Sequence, residues 1–307
     1  MWIDHIHKML VTNWFFLLAV IAGFIFLKIQ GDWTNPYLWC GIAVQVGVAI
    51  FLIQINSHFA IIRTRTLLPG MMFLLLALNL PLTEHNLTES LITLGIAVNF
   101  FLLFLTYQEP ESQVHSFDIA VLLTVGSLFW PPLLFFFPIF WIGFFRFQSL
   151  TWKVFLASLT GIIVVELCIF AWSVYCDDID IFLSLLPPVS EMITPEMPVL
   201  NIYEWVIIGF ALLLLIWEGF NLFVSGISET VKTVSILNYL YYAIFLMFTF
   251  SLLKNNSETQ WESLTAIPAS FILAHFFTTT NNRLTKLLMI VYFAFMVVTG
   301  LLLHSAT

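Results

Sequence analysis

Apolar residues form a nearly continuous series of long blocks in this chain, from residue 11 to residue 303. Of its 307 residues, 61% are hydrophobic and 9% are charged, whereas an ordinary soluble domain is about 25% charged. A helix needs about 20 mostly apolar residues to cross roughly 30 Å of hydrocarbon. Blocks of this kind use up nearly the whole chain. The sequence therefore predicts an all-α fold, a polytopic bundle of transmembrane helices with the lipid bilayer as its main partner.

The blocks predict about eleven spans within a single integral membrane domain, 1–307. Pro131 and Pro132 separate the short fifth and sixth blocks, and Pro138 is expected to interrupt the sixth. These two blocks either cross as short tilted helices or form a re-entrant hairpin, which gives nine spans plus a hairpin. The blocks are 11–29, 38–55, 67–82, 87–106, 117–130, 133–147, 152–175, 203–224, 233–253, 263–279 and 285–303.

The basic residues predict the orientation of the chain, because Lys and Arg accumulate in cytoplasmic segments. With a cytoplasmic N-terminus, only Lys28 and Lys254 fall on the outer side. The inner segments hold the other eight: Lys8, Arg63, Arg65, Arg146, Lys153, Lys232, Arg283 and Lys286. A bacterial inner membrane is the expected location.

Several polar side chains fall within the apolar blocks. Glu166 lies near the middle of its block, where an ionised carboxylate costs at least a few kcal/mol. Such a residue is a candidate proton or cation site, and the alternative is a neutral carboxyl bonded to a neighbouring helix. The eighth and ninth blocks carry polar stripes that either line a cavity or pack together. The further candidates are Glu218, Asn221, Asn238 and His275.

The segments between the blocks hold weaker candidates. Arg63 and Arg65 could bind an anionic lipid head group, or they serve only to fix the topology. Residues 176–202 form an acidic outer loop with a short apolar segment, 179–186, that is expected to lie in the interface. Its Asp178 and Asp180, with Asp32 in the first outer loop, are weak candidates for a metal or a sugar phosphate.

The sequence gives no sign of a resident metal or cofactor. No His pairs with another His or a carboxylate at metal-ligand spacing, so we expect no structural metal. Cys40 and Cys176 fall on the same predicted side and are either disulfide-bonded or free thiols, while Cys168 lies within an apolar block. No catalytic or phosphate-binding motif is present, and a net charge of −8 argues against nucleic acid as a partner.

The stretch 56–166 resembles a family of uncharacterised multi-pass inner-membrane proteins of the Bacteroidota, which carry a domain of unknown function. The shared motifs are Leu68-Pro69, Phe117-Asp118, the run from Ser127 to Pro132, and Arg146. The hydrophobic rhythm is more distantly similar to the membrane module of polyprenyl-phosphate-sugar-dependent glycosyltransferases. Those enzymes place acidic residues in a large first outer loop, whereas here that loop is only 30–37, with Asp32 as its single acid.

Three functions remain open from the sequence. The first is an accessory or scaffold component of cell-envelope assembly, which handles lipid-linked material or other membrane proteins. The second is an envelope glycosyltransferase or polymerase that uses polyprenyl-phosphate sugars. The third is a secondary transporter with Glu166 as its coupling carboxylate. Whether the chain is an enzyme is not decided by its sequence.

Overall fold

The computed structural model describes residues 11–28, 35–79, 86–178, 202–225, 230–253, 260–279 and 283–306. These residues form α-helices, one 3-10 helix and no strand, which confirms the all-α prediction for the described part. The α-helices are α1 Trp14–Lys28, α2 Pro36–Phe59, α3 Leu68–Leu78, α4 Asn86–Leu105, α5 Gln113–Ser127, α6 Phe136–Arg146, α7 Trp152–Tyr175, α8 Ile202–Ser225, α9 Val231–Leu253, α10 Gln260–Thr279 and α11 Arg283–Ala306.

Five helices in the described residues are long and apolar enough to cross a bilayer, so the chain has the character of a membrane protein. They are Pro36–Phe59, Leu87–Leu105, Trp152–Tyr175, Val231–Phe250 and Arg283–Leu302. Other apolar helices, such as α1 and α3, are shorter.

Local sequence sets several helix ends. The side chain of Asn35 accepts a hydrogen bond from the backbone N–H of Tyr37, and Pro36 occupies the first turn of α2, where its missing N–H costs nothing. Helix α2 ends at Phe59 and is followed by Ala60, which caps it in a left-handed conformation with φ 50°. The side chain of Thr151 accepts from Val154 N and so caps α7.

The proline-rich connection between α5 and α6 behaves only partly as predicted. Helix α5 ends at Ser127, and Pro131–Phe135 form the 3-10 helix, which confirms the break at Pro131 and Pro132. The expected interruption at Pro138 is wrong, because α6 runs from Phe136 through Pro138 to Arg146. Pro138 lies in the first turn of α6, where a backbone N–H has no partner within the helix.

Contacts between residues group the chain into two compact units. Unit 1 comprises Met1–Leu94, Val199–Leu240 and Glu258–Thr307, and unit 2 comprises Gly95–Pro198 and Tyr241–Ser257. The single integral membrane domain of the sequence analysis stays a prediction.

Two apolar helices, α3 and α10, form the core of unit 1. They pack extensively on each other, and most of their side chains are buried, including Met71, Phe73, Phe271 and Phe276. Helix α3 also packs closely on α2, because Gly70 lies so near α2 that an added Cβ would be 2.6 Å from the carbonyl oxygen of Ala49.

Helices α5 and α7 form the main contact of unit 2 and run in parallel. The hydroxyl of Ser116 donates to the carbonyl oxygen of Val154 near the start of both helices. Further along, a Cβ at Gly161 would lie 2.8 Å from the Cβ of Ala120 and 2.9 Å from the carbonyl oxygen of Phe117. A glycine is therefore needed for α7 to approach α5 this closely.

Candidate functional site

A carboxylate and an imidazole meet in the buried interior of unit 1. Nδ1 of His275 on α10 lies 2.6 Å from Oε1 of Glu218 on α8. The side chains are only 3% and 1% exposed, respectively. A buried ionisable group is costly unless it is paired and hydrogen-bonded, and each of these two residues provides the other with a partner.

The surroundings of the pair are apolar and aromatic. The ring of Trp217, next to Glu218, lies 6.2 Å from the ring of Phe276, next to His275. Leu214 and Ile272, about one turn from the pair, are fully buried. Electrostatic interactions are stronger in such a medium than in water, so the contact between Glu218 and His275 is stronger here than it would be at a solvent-exposed surface.

One ring nitrogen of His275 is left over. Nε2 of His275 is buried and has no hydrogen-bond partner among the described residues. Buried polar atoms without a partner are rare in native proteins and each calls for an explanation. The carbonyl oxygen of His275 does have partners, because it accepts from the hydroxyls of Thr278 and Thr279. Within the described part of the chain, Nε2 is thus the nitrogen of this ring that remains unsatisfied.

Glu218 and His275 lie at similar distances from the ends of their helices. Glu218 lies seven residues before Ser225, the last residue of α8, and His275 lies four before Thr279, the last of α10. At about 1.5 Å of rise per residue, both residues lie roughly one to two turns from the helix ends that the sequence assigns to the inner face of the membrane. Pro268 lies within α10, two turns before His275.

Glu166 does not lie in a buried polar cavity, where a coupling carboxylate is expected. It lies on α7 in unit 2, partly exposed, beside Ile163 and Leu167, which are 54% and 58% exposed. No hydrogen bond or ion pair joins it to a described residue. Helix α7 is also the least buried of the five long apolar helices. Glu166 is therefore a carboxyl group on an outward-facing helix.

The structure describes the side chain of Asn238 but not that of Asn221. Asn238 is exposed on α9, and it makes no hydrogen bond with a described residue. Asn221 lies on α8, one turn beyond Glu218, but its side chain is outside the part that the structure describes.

Arg63 and Arg65 are exposed in a turn that is otherwise fixed. Asn56 Oδ1 accepts from Ile62 N at 3.0 Å, before the arginines. After them, Thr66 Oγ1 accepts from Leu68 N at 3.1 Å. The ammonium group of Lys232 lies 5.2 Å from the ring centroid of Phe59, at the end of α2. The structure thus brings a third cation to the same end of α2.

The acidic candidates lie mostly outside the described residues. Asp32, Asp180, the interfacial segment 179–186 and nearly all of the acidic loop 176–202 fall there; Asp178 is described and is exposed. In the described part of the chain, no group of three or more His, Cys, Asp and Glu residues could hold a metal ion. Cys40, Cys168 and Cys176 are free thiols.

Sequence reasoning named Glu218 and His275 separately but missed that they bond to each other, because 57 residues separate them. It placed Arg146 on the inner face but missed its contact with Tyr242 on α9, whose hydroxyl accepts a hydrogen bond from the guanidinium. The available signal was weak: each of these charged residues lies in a strongly apolar helix, where polar groups seek partners.

Comparison with protein-family models, curated proteins and solved structures found no match to this chain. The resemblance to the Bacteroidota membrane family stays a prediction.

Proposed function

We propose that this chain is a multi-pass protein of a bacterial inner membrane and a proton-coupled secondary transporter, with Glu218 and His275 as the coupling pair. The topology proposed is about eleven spans, or nine plus a hairpin, with a cytoplasmic N-terminus. The single observation that carries the transport proposal is the buried bond of 2.6 Å between the two side chains.

Contacts within unit 1 support the topology, because each joins segments assigned to the same face. On the inner side, the carbonyl oxygen of Val11 accepts from Leu67 N at 3.1 Å, and Lys232 lies over Phe59. On the outer side, Lys28 interacts electrostatically with Glu89.

A further contact on the outer side agrees with this topology. The hydroxyl of Thr299 on α11 donates to Oδ1 of Asn79 at 2.7 Å, and both residues lie near ends assigned to the outer face. The contact with Glu89 also accounts for a basic residue on that face, since Lys28 is buried beside an acid.

The dimensions of unit 2 support the hairpin for residues 117–147. Helix α5 has 15 residues, about 22 Å at 1.5 Å per residue, which is short of the roughly 30 Å of the hydrocarbon core. The parallel course of α5 and α7 agrees with a connection that returns to the inner face between them.

The pair can couple proton binding to movement because its charge state is costly to change while it is buried. With one proton between them, the two side chains have no net charge. Adding a second proton or removing the first leaves a net charge in an apolar interior, which costs several kcal/mol. Proton exchange is therefore favoured in a conformation that admits water, and the neutral pair favours the closed conformation. Coupling of this kind is what a secondary transporter requires.

The test is proton movement in liposomes that contain the full chain and an internal pH dye, under an imposed pH gradient. The probes are Na⁺, K⁺, a mixture of amino acids and a mixture of sugars, added separately. We expect one probe to accelerate proton flux at least tenfold with the native chain and not with Glu218→Gln. Glu166→Gln is the matched control, because this partly exposed side chain has no partner among the described residues, and the variant should keep the native flux.

Two results would overturn the transport proposal. One is that none of the probes moves protons with the native chain. The other is that Glu218→Gln keeps the native flux. Loss of flux in Glu166→Gln alone would instead restore Glu166 as the coupling carboxylate.

A second candidate is an accessory component of envelope assembly that handles lipid-linked material. The exposed, fixed turn at Arg63 and Arg65, with Lys232 at the same end of α2, favours it because lipid phosphates bind to such clusters. The same liposome assay separates the two candidates, since an accessory protein responds to none of the solutes. Replacing both arginines by Gln would then change envelope lipids without an effect on flux.

A further inference from the structure

A half-open groove lies in unit 2 where α6 leads into α7. Its volume is about 400 Å³, and its lining residues, which define the Arg146 groove, are Phe145, Arg146, Gln148 and Leu150. The groove combines one cation, one amide and two apolar side chains. The groove lies in a different unit from the Glu218–His275 pair, and its ligand is independent of transport, although the leaflet it faces rests on the proposed topology.

The turn that forms the groove is fixed by the backbone. Gln148 has a left-handed conformation with φ 58°. The N–H groups of Ser149 and Leu150 both donate to the carbonyl oxygen of Phe144. From the neighbouring turn, Gln108 N donates to the carbonyl oxygen of Phe147 at 2.9 Å. The groove is therefore largely preformed, as small-molecule sites generally are.

Arg146 is held in place with donors to spare. Its guanidinium donates to the hydroxyl of Tyr242, and its central carbon lies 4.6 Å from the centroid of the Tyr242 ring. A guanidinium has five N–H donors, and in the described part of the chain no carboxylate forms an ion pair with Arg146. The remaining donors suit the oxygen atoms of a phosphate, which Arg often binds with two parallel hydrogen bonds.

The apolar side chains in and beside the groove are exposed, so they can contact lipid acyl chains. Phe145 is 70% exposed and Leu150 is 38% exposed, and Trp152, at the start of α7, is 73% exposed. Aromatic side chains next to basic ones are typical of the level of the lipid head groups. In the proposed topology this turn faces the cytoplasm, on the leaflet that carries anionic lipids.

Nearby acids narrow the choice of ligand. Glu109 and Glu111 are exposed in the turn that donates to Phe147, so a free multivalent anion would be repelled as well as attracted. A phosphodiester with a single charge is repelled less, and its acyl chain adds apolar contact along Phe145 and Leu150. We propose that the Arg146 groove binds an anionic phospholipid of the inner leaflet, with the phosphate on Arg146.

The experiment measures lipid preference of the purified full chain in detergent, with spin-labelled phosphatidylglycerol and phosphatidylcholine of equal chain length. Because one basic contact at a membrane surface is worth about fivefold in binding, we expect roughly a fivefold preference for phosphatidylglycerol. Arg146→Gln should abolish this preference. Lys153→Gln removes an exposed cation outside the groove and should keep it, which makes it the matched control.

If Arg146→Gln does not fold, two further variants test the same proposal. Phe145→Ser changes an exposed side chain and no charge, and it should weaken both lipids by removing the apolar contact. Arg146→Lys keeps the charge but lacks the two-bond geometry, and it should retain only part of the preference. Native affinity for both lipids in Phe145→Ser, together with native preference in Arg146→Lys, would overturn the proposal.

Other results also count against the groove. An unchanged preference in a folded Arg146→Gln protein would do so, as would an equal loss in Lys153→Gln. Inorganic phosphate is the competitor that distinguishes a lipid from a free anion. Complete displacement of phosphatidylglycerol by millimolar phosphate would show a free-anion site and contradict the lipid assignment.

Discussion

At the scale of single residues, the chain places its most consequential polar contact in an apolar interior. Glu218 and His275 bond at 2.6 Å with almost no exposure to solvent. Truncating Glu218 leaves the ring of His275 buried without a hydrogen bond to any described residue, which costs more than the bond itself contributes. The two residues therefore depend on each other, and the single changes should be worse than their chemistry alone implies.

This dependence predicts the outcome of a double-mutant cycle with Glu218→Ala, His275→Ala and the double variant. Interhelical hydrogen bonds in membrane proteins average about 0.6 kcal/mol and reach about 1.7 kcal/mol. For a buried, charge-assisted pair we expect a coupling near the upper end, about 1–2 kcal/mol, from unfolding of the purified protein. Additive effects, with a coupling near zero, would show that the contact does not contribute to stability.

The sequence could name these two residues but not their contact. Each was a candidate because an ionisable side chain in an apolar helix is unusual. Their partnership depends on how α8 and α10 pack, and a separation of 57 residues leaves no spacing to read. Arg146 and Tyr242, 96 residues apart, illustrate the same limit. Glu166 shows the reverse case, since its unusual position in the sequence corresponds to no partner among the described residues.

At the scale of elements, close contact between α5 and α7 depends on one glycine. A Cβ at Gly161 would lie 2.8 Å from the Cβ of Ala120 and 2.9 Å from a backbone oxygen, and a backbone oxygen cannot move aside as the end of a flexible side chain can. Gly95, on α4 in the same unit, has nothing within 4 Å of such a Cβ. The two glycines thus form a matched pair.

We expect Gly161→Ala to destabilise the protein by about 1–3 kcal/mol, the usual cost of overpacking. Gly95→Ala should be neutral or should stabilise by up to about 1 kcal/mol, because alanine favours helix over glycine. Thermal unfolding of the two variants in the same detergent checks both signs. Equal stability of the two variants would contradict the tight contact between α5 and α7.

The lengths of the apolar blocks and the positions of the prolines predict where the helices lie, but they do not predict which helices are in contact. The blocks follow the helices closely, because a run of apolar residues between polar turns has few alternatives in lipid. Pro131 and Pro132 mark the break after α5 as expected. The prediction for Pro138 was wrong because the effect of a proline depends on its place in the helix. The 3-10 helix ends at Phe135 and α6 begins at Phe136, so Pro138 lies in the first turn.

At the scale of the whole molecule, the roles proposed for the Glu218–His275 pair and for the Arg146 groove depend on the membrane topology. The predicted faces rest on the distribution of ten basic residues, and contacts such as Lys232 with Phe59 join segments assigned to the same face. If the segments were assigned to the wrong faces of the membrane, the depth given for the Glu218–His275 pair and the leaflet given for the Arg146 groove would both be incorrect.

Labelling of single cysteines with a membrane-impermeant maleimide tests this topology most directly. One variant keeps only Cys176, and a second carries Thr64→Cys, between the two arginines, with the three native cysteines replaced by Ser. Both positions are exposed. The proposed topology predicts that Cys176 is labelled in cells whose outer membrane alone is permeabilised, and that Thr64→Cys is labelled only after the inner membrane is opened. Labelling of both positions in intact cells, or of neither, would contradict it.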